Sequence, residues 1–94
     1  MSEYIEIETE TTDDPTRMRL LTNLSLSDEP QGLERYASPA EMEEGSPLAQ
    51  TLAYVEGIRR LEIEGQTMTI VRDPNVPWHV IIADVSATVR DFFL

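Results

Sequence analysis

The sequence predicts an α+β fold, a two-layer sandwich in which a mostly antiparallel sheet of four or five strands is covered on one face by two helices (β-β-(β)-α-β-β-α). Three observations carry this. Two alternating runs, Arg60-Leu61-Glu62-Ile63-Glu64 and Thr67-Met68-Thr69-Ile70-Val71, flank a two-residue Gly65-Gln66 turn. Two stretches place apolar residues at helical spacing: Leu48, Leu52 and Val55, then Trp78, Ile81, Ile82, Val85, Val89 and Phe92. Finally, 94 residues of which 40% are hydrophobic suffice for one core, so residues 1–94 read as a single domain.

Taken in order, Tyr4-Ile5-Glu6-Ile7-Glu8 alternates apolar and acidic residues, the mark of a strand with one buried face. Met18, Leu20, Leu24 and Leu26 then share one parity while Arg17, Arg19 and Asn23 share the other, predicting a longer second strand. Pairing the two with their apolar faces together sets Glu6 and Glu8 on the side of Arg17 and Arg19, where an opposite-charge pair contributes about 0.2 to 1 kcal/mol. The turn-rich stretch that begins at Ser27 leads to Leu33-Glu34-Arg35-Tyr36, the optional strand. Ser38-Pro39-Ala40-Glu41 has the form of a capping box, which predicts one or two helical turns before Gly45.

Ser46-Pro47 repeats that signal at the head of a helix of about ten residues, with Gly57 suited to its left-handed C′ position. In the hairpin that follows, glycine at the first central position fits a II′ turn, and that register sets Ile63 opposite Met68 and Leu61 opposite Ile70. Glu62 then faces Thr69, and Glu64 faces Thr67, on the other side. The last helix starts near Trp78 and runs about four turns. The order of strands in the sheet does not follow from these patterns.

Composition narrows the function classes. Acidic residues number 18 against 7 basic ones, all arginine, for a net charge of −11. Such a field opposes phosphate backbones and anionic lipid, so nucleic acid and membrane are not expected partners. The start of the chain lacks the basic and apolar regions of a leader, which leaves a cytoplasmic location as the expectation. Without cysteine there is no disulfide, no thiolate nucleophile and no ordinary ligand for zinc or an iron-sulfur cluster. One histidine and no lysine leave few ways to assemble a nucleophile, a base and an oxyanion site, so no enzyme is expected.

Thr9-Glu10-Thr11-Thr12-Asp13-Asp14-Pro15, Ser46-Pro47-Leu48-Ala49-Gln50, Glu56-Gly57-Ile58, Gly65 and Trp78 occur in that order across nearly the whole chain. This succession resembles the N-terminal domain of the Nfu/NifU iron-sulfur scaffold proteins. Asp13-Asp14 stand where that family usually carries Pro-Asn, which removes a proline-stiffened turn. The family's full-length scaffolds hold their cluster on a Cys-x-x-Cys in a separate C-terminal domain. The resemblance therefore implies an accessory module, standing alone or cut from a longer protein, that assists cluster assembly or delivery by docking protein partners. Direct weak iron binding by the acidic surface, or an adaptor role unrelated to clusters, are the alternatives.

Asp13 and Asp14 beside Glu10, and Glu41, Glu43 and Glu44 near the short helix, offer hard oxygen ligands. They lack the count and spacing of a calcium loop, and a solvated turn stabilised by Asp is the simpler reading of the first group. No cofactor is expected, iron being the alternative. For partners, Tyr54 lies off its helix stripe, Arg59 and Arg60 form the one adjacent basic pair, and Trp78 is a core anchor that doubles as a contact if its edge is exposed. Phe93 also falls off the centre of its stripe. Phe92-Phe93-Leu94 is expected to pack on the sheet edge or on a second copy, in a monomer or weak dimer.

Overall fold

The computed structural model describes residues 5–26 and 32–93; Tyr4, residues 27–31 and Leu94, which figure in the expectations above, lie outside them. Five strands, β1 (Ile7–Thr11), β2 (Arg17–Thr22), β3 (Leu33–Tyr36), β4 (Ile58–Glu64) and β5 (Thr67–Arg72), form one sheet in the order β1-β2-β5-β4-β3, antiparallel throughout. The optional strand is present, as β3 at one edge. Helices α2 (Pro47–Leu52) and α3 (Trp78–Phe93) are the two main helices, and short α1 (Pro39–Glu43) packs beside β3 and β4.

The hairpin has the register read from the sequence: Leu61 pairs with Ile70, Glu62 with Thr69, Ile63 with Met68 and Glu64 with Thr67. Gly65 takes φ +59 and Gln66 a negative φ, the II′ combination. Leu61, Ile63, Met68 and Ile70, all at most 1% exposed, join Leu20, Leu48, Leu52, Ile81, Val85 and Val89 in one core between sheet and helices. Each buried side chain of this size contributes about 1.5 to 3 kcal/mol.

Several boundaries differ from expectation, each for a local reason. The first strand begins at Ile7 and leaves out Ile5 and Glu6, because β2 stops at Thr22. The Thr22 hydroxyl accepts from Leu24 N at 3.1 Å and turns the chain, so Ile5 and Glu6 have no strand to pair with, and Glu6 N donates to the Asn23 side chain. Leu24 and Leu26 accordingly leave the strand, yet Leu26 stays buried, its amide donating to Gly65 O at 2.9 Å. The cross-strand ion pair is Glu10 with Arg19 at 3.1 Å, not Glu6 or Glu8.

Helix α2 has six residues where about ten were expected. After Leu52 the chain tightens into i→i−3 turns, Tyr54 N to Thr51 O and Val55 N to Leu52 O, which carry Val55 inward. Gly57, φ +102, is therefore not the helix C′ residue; it turns the chain into β4. Both serine caps form: Ser38 Oγ accepts from Glu41 N and Ser46 Oγ from Ala49 N, each at 3.3 Å. At the end of α3 the two phenylalanines exchange roles. Phe93 packs on the core, whereas Phe92 is 40% exposed, edge-on to it with centroids 5.0 Å apart.

Candidate functional site

Side chains that point away from the helices form three cross-strand rows on the uncovered sheet face. The first runs Leu33, Glu64, Thr67, Leu21, Glu8; the second Arg35, Glu62, Thr69, Arg19, Glu10; the third Arg60, Val71, Arg17. In the second row Arg35 pairs with Glu62 at 3.0 Å and Arg19 with Glu10 at 3.1 Å. All four side chains are substantially exposed, so each pair is worth about 0 to 1 kcal/mol. In the third row two guanidiniums flank one valine, and among the described residues neither makes an ion pair. A depression of about 260 Å³ opens here, lined also by Arg35, Tyr36, Glu41 and Thr69.

Arg59 and Arg60 reach this side through a register shift. Ile58 and Leu61 are both buried although three positions apart, and the ladder slips between Ile58 and Arg60. Two residues thus stand outside between two inward ones, the geometry of a β-bulge. Strict alternation in the sequence gives no sign of it.

The carboxylates proposed as hard ligands do not converge; among the described residues no three of His, Cys, Asp and Glu form a group able to hold a metal. Asp14 is occupied by its own turn. Its Oδ1 accepts from the Thr16 hydroxyl at 2.6 Å and from Thr16 N at 2.8 Å. These bonds, the hydroxyl's foremost, hold its carboxyl below the usual 3.8, and nearby Arg17 acts in the same direction. Asp13 is exposed beside it. Glu41 accepts from Ala37 N at 3.4 Å, one residue upstream of the usual capping-box partner, and lines the sheet-face depression. Glu43 lies on the helix side, and Glu44 is the C-cap of α1.

Trp78 is half-buried, and its indole N–H donates to Pro15 O at 2.8 Å. Arg72 lies over the ring, 5.8 Å from its centroid, and donates to the same carbonyl at 3.3 Å and to Pro74 O and Val76 O at 3.1 and 3.2 Å. The β1–β2 turn is thereby tied to the start of α3. His79 is exposed.

Tyr54 is the most exposed large hydrophobic described, at 82%. It stands with Phe92 along a groove between α2 and α3, a feature that the sequence hides because Phe92 falls on an inward stripe by spacing alone. No described helix is long and apolar enough to cross a membrane.

One charged residue, Glu34, is buried among the described ones, 6% exposed on the inner side of β3. The Tyr36 hydroxyl donates to its carboxylate and accepts from Ser46 N at 3.2 Å, linking the edge strand to the cap of α2. Burial, then the bond to Glu34, push the Tyr36 hydroxyl above its usual 10.0.

The fold is shared with solved structures. A NifU-like protein from Saccharomyces cerevisiae superposes with a TM-score of 0.70 at 22% identity, over 95% of this chain and 80% of that one. Protein SAV1430 from Staphylococcus aureus also gives 0.70, at 16% identity over 89% of this chain and 98% of that one. Protein SeR13 from Staphylococcus epidermidis gives 0.58, at 17% identity over 92% and 96%. At these identities the likeness speaks for the fold alone. No curated protein sequence matches the chain. The family model described as the scaffold protein Nfu/NifU N terminal, however, matches residues 7–94, and its marks are tied together in space, since the turn ending at Pro15 is fastened to Trp78. The chain belongs to the Nfu/NifU N-terminal domain family.

Proposed function

We infer that this domain is a non-enzymatic docking module for iron-sulfur cluster assembly or delivery, acting in the cytoplasm on protein partners as a monomer or weak dimer. Family membership supports the assignment to that process. The observation that carries the docking is the uncovered sheet face. Five of the seven arginines, Arg17, Arg19, Arg35, Arg59 and Arg60, lie on the outward rows or the bulge of a chain whose net charge is −11. Arg17 and Arg60 flank Val71 and are not neutralised by an ion pair among the described residues. An apolar side chain between two guanidiniums that form no ion pair among the described residues suits an acidic protein segment, with Arg59 at its margin.

The test is affinity capture from a cell extract with the unaltered domain and with an Arg59→Glu/Arg60→Glu variant. Both arginines are exposed, so the variant keeps its fold. A cluster-biogenesis or cluster-receiving protein retained by the first and lost by the second is the expected result. Equal retention by both, or retention of no such protein, removes the support for this reading.

A further inference from the structure

We propose that the groove between α2 and α3 receives a basic amphipathic helix of a partner protein, on the side of the domain opposite the arginine rows. Two adjoining depressions, of about 450 and 230 Å³, share Thr51 and Tyr54 and together run from Phe92 to Asp84. The lining is mixed: Pro47, Ala87 and the exposed parts of Tyr54 and Phe92 supply apolar contacts, between the polar side chains of Gln50, Thr51 and Thr88. Tyr54 at 82% and Phe92 at 40% exposure are two of the four exposed large hydrophobics among the described residues, and they lie on one groove. Phe92 is held in place by its edge contact with core-packed Phe93.

The rim decides the occupant. Glu43, Asp84 and Asp91 line it, and no arginine or histidine does. A cationic partner gains from these three carboxylates and from the field of a chain at −11, whereas an acidic one is repelled by both. From Asp84 to Phe92 the helix rises about 12 Å, the length of two turns, so a helix with apolar residues at i, i+4 and i+7 spans the groove. This inference is independent of the sheet-face reading, since it uses none of the same side chains.

Chemical-shift mapping on the 15N-labelled domain tests it. The probes are a synthetic Leu/Lys amphipathic peptide of about 15 residues, a scrambled peptide of the same composition, and a Leu/Glu peptide of the same pattern. Expected is saturable binding of the first alone, with shifts concentrated at residues 50–54 and 84–92. Tyr54→Ser/Phe92→Ser should weaken it at least about tenfold, and Asp84→Asn/Asp91→Asn several-fold. Unchanged shifts at Leu61, Ile63 and Met68 confirm that the variants are folded. No saturable binding, equal binding of the scrambled peptide, shifts centred instead on the acidic residues of β1, or undiminished binding by the folded aromatic variant each overturns the proposal.

Discussion

Replacing Tyr36 by Phe removes one oxygen atom and two hydrogen bonds. The hydroxyl donates to Glu34, the one buried charged residue described, and accepts from Ser46 N at 3.2 Å. A hydrogen bond to a charged group contributes about 1.5 to 3 kcal/mol and a neutral one about 1. Tyr36 is only half-buried, so water replaces part of the Ser46 contact, and the expected net loss is about 2 kcal/mol, below the low end of that sum. For a domain of this size that lowers the melting temperature by roughly 8 to 16 °C. Chemical denaturation with a double-mutant cycle against Glu34→Gln is the assay, and the coupling energy should reach about 1 kcal/mol. The pH dependence has a definite sign. Because the folded-state pKa lies above the usual 10.0, the hydroxyl's contribution is complete below pH 10 and is lost as pH rises through the folded value. The gap between wild type and Tyr36→Phe should thus be flat from neutral pH up to pH 10 and close above it. A loss below about 0.5 kcal/mol, the scatter of ordinary surface changes, or a coupling of zero, would refute the reasoning.

Gly45→Ala should cost about as much, some 2 kcal/mol, because a Cβ there would lie 2.4 to 2.6 Å from the Tyr36 ring and push it off both partners; denaturation should show the penalty vanishing in a Tyr36→Ala background. Asp14→Asn should flatten the acid limb of stability: the lowered carboxyl contributes above pH 3.8 and loses that contribution as pH falls through its folded value, which amide exchange at Thr16 reports directly. Ferrous iron and magnesium, titrated anaerobically, should shift the amides of Asp13, Asp14, Glu41, Glu43 and Glu44 weakly and alike, since these groups do not converge; a saturable, iron-specific shift at micromolar metal would establish a site.

The β4–β5 hairpin was legible in the sequence because two independent constraints, alternation and a two-residue turn, demand one register. Both serine caps were legible for a similar reason, each being a local bond between neighbours. What could not be read was set by partners distant in the chain. The first strand's position depends on Thr22 ending β2, the exposure of Phe92 on the seating of the last turn of α3, which buries Phe93 instead, and the outward pair Arg59-Arg60 on a slip against β5. Tyr54 was visible as a residue off its stripe, but the groove it borders needs both helices in place. Trp78 and Pro15, 63 positions apart, share a hydrogen bond that no periodicity announces.

The slip at Arg59 and Arg60 sets one residue more on β4 than the ladder with β5 pairs. Removing either arginine would bring Ile58 and Leu61 to the even spacing of an unbroken strand and keep both in contact with the same interior neighbours. The interior would not notice a chain of 93 residues, one shorter than the 94 present. The surplus residue stands on the solvent side, where it sets two positive charges next to each other at one spot.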